Sequence, residues 1–157
     1  MVQTSGYSSA PQESLDPKAV LEVCLCHHIR RGGRALTRHY DSVLAACGLT
    51  AGQFIILTAI AALQPMPSPI LRHVLAMDRT TLSRTLKPLK TAGFVDISAG
   101  AGRRAGLLNL TPEGASALRQ AAPLWRRAQS EASGRLGAAR TGQLLSVLSA
   151  VAAALRD

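Results

Sequence analysis

The chain is cut into pieces by its own start and stop signals, and the order of those pieces leaves few folds open. Asp16-Pro17 opens a helix, with Asp as N-cap and Pro at the first helical position. Gly48 closes that helix as a C-cap does. Thr50, with Gln53 three residues on, is a capping box that opens the next. Two prolines within residues 64–67 make a loop, and Ser68-Pro69 repeats the cap-then-proline start of a short helix. Asp78 caps a following helix that Gly93 terminates, and Thr111-Pro112-Glu113 opens a long helix that Gly137 interrupts. A last helix is expected from about Thr141.

Apolar spacing supports these helices. Cys26, Ile29, Gly33, Leu36, Tyr40, Val43 and Cys47 fall three or four apart. Gly32-Gly33 lies inside that stretch, at about 1 kcal/mol per glycine, so a bend or a close approach of another backbone is expected there. Phe54, Leu57 and Ile60 form a buried face, as do Leu82, Leu86 and Leu89. Pro88 should bend the last turn of its helix. Leu118, Ala122, Trp125, Gln129, Ala132 and Leu136 share one face of the long helix; Leu144, Leu148, Val151 and Leu155 line the last. Between Gly93 and Thr111 the period changes. Two short apolar stretches, residues 94–97 and 107–110, flank the Gly-rich tip of residues 99–104 and read as a β-hairpin.

Helix, short helix, polar-faced helix, hairpin with a basic tip is the order of a winged helix-turn-helix. The fold class expected is mainly α with a small β-hairpin wing. With Leu82, Leu86 and Leu89 in the core, the opposite face presents Arg79, Thr80, Ser83, Arg84, Lys87 and Lys90. These short hydroxyls and long cations suit base edges and phosphates in a major groove. No acidic residue occurs in residues 79–93, whereas an ordinary solvated face mixes signs. Ser68, at the start of the preceding helix, joins this set. Arg103 and Arg104, at the hairpin tip, suit a minor groove or a phosphate backbone.

Composition agrees. Net charge is +9, and 15 of the 18 basic residues are arginine, whose planar forks match phosphate and guanine. Aromatics make up only 3% of the 157 residues, too few for the stacking platforms of a single-strand binder. Charge also fits a basic RNA- or ribosome-associated protein without operator specificity, which would need neither a palindrome nor a dimer. An enzyme would need a nucleophile with its base, or paired carboxylates. The nine acidic residues are scattered and no phosphate-cradling loop is present, so neither activity nor cofactor is expected. Residues 1–16 are a polar tail without the apolar segment of a signal peptide. The apolar run 54–63 is too short to span a bilayer and is broken by Thr58. Three cysteines, an odd number, suit free thiols in a reducing compartment. A cytoplasmic protein away from membranes is expected.

From about Leu36 to Gln129 the sequence resembles the MarR regulators. The resemblance rests on LTRHYD (36–41), GLTAGQFIIL (48–57), MDRTTLSRTLKPLKTAGFV (77–95) and LNLTPEGASAL (108–118). It implies a DNA-bound repressor or activator, often tuned by a small phenolic ligand or by thiol oxidation. It also implies a homodimer built by residues 17–47 and 111–157 around a DNA-binding lobe at 48–110. Arg79, Thr80, Thr81, Ser83 and Arg84 match the recognition-helix motif directly. One departure is Gly102, which stands where the family carries an acidic residue before the paired arginines and leaves the wing tip less anchored. The family also implies an effector pocket, which Tyr40 and Trp125 could line, although a large aromatic is more commonly core packing.

Cys24, Cys26, His27 and His28 cluster on the first helix. Cys24 reaches the histidines at three and four residues, but no closed ligand set is visible, and no metal site is expected. Cys26 stands fourteen residues before Tyr40, resembling the reactive cysteine of the hydroperoxide-sensing branch of the family. Arg30, Ala51 and Phe54 stand where further tyrosines would complete that pocket. Cys26 is thus either a redox sensor or a small apolar residue at a helix interface.

Overall fold

The computed structural model describes residues 15–98 and 106–155. The elements are α1 (Pro17–Val23), α2 (Leu25–Leu44), a 3₁₀ turn (Ala45–Cys47), α3 (Ala51–Leu63), β1 (Met66–Pro67), α4 (Ser68–Val74), α5 (Arg79–Thr91), β2 (Val95–Ser98), β3 (Leu107–Leu110), α6 (Pro112–Leu136) and α7 (Ala138–Ala154). Contacts divide the chain into a first unit ending at Ala35 and a second beginning at Leu36. No single helix among the described residues is long and apolar enough to cross a membrane.

The first unit corrects one expectation. Gly32-Gly33 stays within an unbroken α2, and the break falls at Cys24, whose ψ of 109° is extended. Cys24 ends α1 by donating its N–H to the Val20 carbonyl, 3.0 Å away. It also starts α2, since its sulfur accepts the His27 N–H at 3.4 Å, as a Ser or Asp N-cap would. Reading Cys24, His27 and His28 as neighbours on one continuous helix therefore does not hold. Among the described residues no group of three His, Cys, Asp or Glu side chains could hold a metal. Leu21, Val23 and Leu25 project from this unit largely exposed.

The second unit is built around α3. Phe54, Ile56, Leu57, Ala59 and Ile60 are buried, and α4, α5, α6 and β3 pack around them. Each large apolar side chain so buried contributes about 1.5–3 kcal/mol. The expected capping box of Thr50 and Gln53 is present, and the Asp41 carboxylate of α2 accepts the Ala51 N–H at 2.7 Å. On α6 the buried seam is small: Gly114, Ala121, Ala128 and Ala132. Helix axes can approach closely there, while Trp125 and Leu136 remain partly exposed. Helix α7 starts at Ala138, earlier than expected. Gly137, at φ +84°, turns the chain in one residue, and the Thr141 hydroxyl bonds back to its carbonyl instead of capping.

The wing has a third strand. The order is β1-β3-β2, all antiparallel, with Met66 opposite Leu108 and Ile97 also opposite Leu108. Two residues, one of them proline, carry no readable strand pattern; Pro67 is tolerated because β1 is an edge. Pro67 also corrects the start of α4. It is the N-cap, so Ser68 occupies the first helical position and its hydroxyl makes no capping bond.

Two helix ends fix how α4 and α5 leave their turns. At the end of α5 the Gly93 N–H reaches the Lys90 carbonyl and the Phe94 N–H reaches that of Leu89, with Gly93 at φ +72°. The end of α4 repeats this pattern: Ala76 N–H to His73 at 3.3 Å, Met77 N–H to Arg72 at 3.0 Å. Its left-handed residue, however, is Ala76 at φ +48°. A Cβ in that region costs about 1–2 kcal/mol, part of which glycine's extra chain entropy offsets. Ala76→Gly is therefore expected to stabilise the protein by about 1 kcal/mol, read as a higher urea midpoint at unchanged slope.

Candidate nucleic-acid interface

Helices α4 and α5, joined by residues 75–78, form the helix-turn-helix. Asp78 fixes where α5 begins. Its carboxylate accepts the Thr81 N–H at 2.8 Å and the Thr81 hydroxyl at 2.6 Å. These bonds, the hydroxyl's first, hold the Asp78 carboxyl below its ordinary pKa. A charged N-cap also complements the helix dipole. Thr81 thus spends its hydroxyl proton on starting the helix. On the inner face Leu82, Leu86 and Leu89 are buried against the core, as the spacing predicts.

The outer face divides into two rows. Arg79, Ser83, Lys87 and Lys90 lie along one side of a groove of about 660 Å³ between α4 and α5, floored by Leu82, Leu86 and Ile97. Thr80 and Arg84 are exposed on the adjoining row, outside that groove. Ser68, half-buried, lines the groove from α4. Arg72 lines it too and was missing from the sequence-derived set. Its signal was present: it stands four residues after Ser68 in a short helix and so shares its face.

The groove is electrostatically one-sided. The ion pairs among the described residues are His39–Glu131 at 3.6 Å and Arg127–Glu131 at 2.9 Å, and none of these residues lines the groove. Arg72, Arg79, Arg84, Lys87 and Lys90 have no acidic partner among the described residues. Unpaired cations in a row hold a positive potential, which focuses within a cleft.

The remaining expected residues fall elsewhere. Arg103 and Arg104 lie outside the described residues. Cys26 is exposed, in the first unit. Tyr40 and Trp125 come to neighbouring turns of α6. The Tyr40 hydroxyl donates to Gln129 Oε1, and burial raises its pKa. Trp125 stacks on Phe54 with ring centroids 6.0 Å apart and planes at 17°. Neither ring lines the groove just described or the second groove beside α7.

Comparison with known proteins bears on this lobe. No family model matches the chain. The M. tuberculosis transcriptional regulator MosR, solved in complex with DNA, is 35% identical, with a TM-score of 0.73 over 85% of this chain and 99% of that one. A MarR mutant from E. coli, complexed with operator DNA, is 26% identical, with a TM-score of 0.75 over 84% of this chain and 96% of that one. The chain belongs to the MarR family. Its fold is accordingly the winged helix-turn-helix of MarR-type DNA-binding transcriptional regulators, a family that is not enzymatic. Among curated proteins, the uncharacterized HTH-type transcriptional regulator YwoH of Bacillus subtilis is 28% identical over 89 residues. That match spans 57% of this chain and 65% of YwoH.

Proposed function

We propose that this MarR-family chain is a cytoplasmic repressor that binds a palindromic duplex operator as a homodimer. The observation that carries the reading is the acid-free row of Arg79, Ser83, Lys87 and Lys90 on a helix held by an Asp78 cap. Each α5 would enter a major groove, with half-sites about one helical turn apart. Arg84 and Thr80 would face base edges and Ser68 and Arg72 the backbone. Arg103 and Arg104 would follow flanking phosphates or the minor groove.

The dimer is supported by apolar surface that none of the described residues covers. Leu21, Val23 and Leu25 are exposed, as are Leu145 and Val147 on α7 at 59% and 58%. Exposed apolar patches of this kind mark association surfaces. Residues 17–47 and 111–157 are therefore proposed as the dimerisation region around the DNA-binding lobe of residues 48–110.

The deciding experiment is fluorescence anisotropy on the duplex upstream of the protein's own gene, beside a scrambled duplex. Arg84→Ala is expected to weaken specific binding by about 1–3 kcal/mol while sparing the scrambled duplex. Equal loss on both would make Arg84 a phosphate contact only. Equal, weak wild-type binding to both would favour a general polyanion binder over a regulator.

Release of the operator by thiol oxidation is proposed at Cys26, on the strength of its exposure. Cys26→Ser is expected to leave operator affinity unchanged and to abolish release by an organic hydroperoxide. A wild-type complex indifferent to hydroperoxide would remove Cys26 as a sensor.

A further inference from the structure

Arginine is concentrated on one side of α2. Arg30, Arg31 and Arg34 are exposed, lie within the first unit, and are neighbours on the helix surface at three and four residues. No acidic residue follows Glu22 before that unit ends at Ala35. Neither ion pair among the described residues involves these arginines. Arg30 with Arg34, and Arg31 with Arg34, are like-charged pairs of the kind that weaken a helix. Gly32 and Gly33 between them weaken it further, and a Cβ added to either would meet nothing within 4 Å. A face that carries this repulsion within one chain finds its complement in an anion outside it. The other side of the same stretch is apolar, with Leu25 and Ile29 exposed at 76% and 43%. A dimer seam along Leu25 and Ile29 leaves the three arginines pointing out of it.

We propose that Arg30, Arg31 and Arg34 form a second DNA contact, gripping the phosphates of a duplex other than the one α5 reads, so that the protein joins two DNA segments. Three guanidinium forks stand within about 6 Å of helix axis. A duplex carries one charge per about 1.7 Å of its own axis, so the row meets several phosphates at once. Each fork takes phosphate oxygens in pairs. Between Arg30 and Arg34 the chain offers only Arg31 and two glycines, with no hydroxyl or amide side chain for base edges, so this contact is blind to sequence. The groove between α4 and α5 belongs to the second unit and has four cations of its own. The joining of two duplexes rests on the regulator reading above for the first of them; the phosphate contact on α2 does not.

The test keeps the two apart. The full-length protein is mixed at 50 mM salt with the duplex upstream of its own gene, carrying a fluorescence donor, and a scrambled duplex carrying an acceptor. Energy transfer is expected, falling with a slope of about −3 in log salt for the three phosphates engaged. Replacing the row by glutamine (Arg30→Gln, Arg31→Gln, Arg34→Gln) is expected to reduce the transfer about tenfold or more, with affinity for the native duplex alone kept within about twofold. No transfer at 50 mM salt, or transfer untouched by the triple substitution, would overturn the second contact. An equal loss of native-duplex affinity in that variant would overturn it too, by placing the arginines on the DNA that α5 reads. Transfer between two scrambled duplexes as strong as with the native one, and lost in the variant, would uphold the contact and remove the regulator reading instead.

Discussion

Gly114→Ala is expected to cost about 3 kcal/mol or more of stability. Gly114 is the third residue of α6 and is buried. Its N–H donates to the Thr111 hydroxyl oxygen at 3.0 Å, and that hydroxyl in turn donates to the Gly93 carbonyl at 2.7 Å. A Cβ added there would fall onto the Phe94 carbonyl oxygen and within 2.9 Å of Leu110 Cδ1. The carbonyl is backbone, fixed by the Thr111 N–H at 3.1 Å, so it cannot swing aside as a side chain could. Relief requires α6 to lift away from the end of α5, which breaks the Thr111 cap as well. Gly134→Ala, on the same helix with no atom near its added Cβ, is the control. It should be neutral or stabilising by up to about 1 kcal/mol. Urea unfolding of both variants decides the matter. Equal midpoints would mean that α6 does not press on Phe94 in solution.

Operator affinity is expected to fall about ten-thousandfold between 50 and 200 mM salt. Four cations line the groove between α4 and α5: Arg72, Arg79, Lys87 and Lys90. If each neutralises one phosphate, a dimer engages eight, and the slope of log K against log salt is about −7. Lys90→Ala removes one contact per protomer and should flatten the slope by about 2, on operator and scrambled duplex alike. Arg84→Ala, by contrast, should change the preference between duplexes more than the slope. A wild-type slope no steeper than about −2 would place these cations off the backbone.

Much of this was written locally. Asp78, Thr50 and Thr111 bond to the N–H groups their spacing assigns them, because a cap needs only residues three apart. Leu82, Leu86 and Leu89 are buried because a helix period is a strong signal. What the sequence hid depended on distant partners or on unusual chemistry. Met66-Pro67 becomes a strand only because β3 lies beside it. Cys24 caps α2 with its sulfur as acceptor, a role seldom sought in a cysteine. Ala76 takes a backbone region where glycine would have announced the turn. The candidate interface was legible in α5, where charge and period coincide on one helix. It was less so in α4, where Arg72 is a single cation in seven residues.

Strand β3 is the shared spine of the lobe. Leu108 pairs with Met66 on one side and Ile97 on the other, and Pro67 hands the chain directly to Ser68. The start of α4 and the base of the wing are therefore fastened to the same four residues. A shift of one thus carries the other with it. One base pair inserted between half-sites rotates the second by about 34°. In a dimer that twist would have to be taken up by α2, α6 and α7, and their stiffness would set how strictly an operator's spacing is enforced.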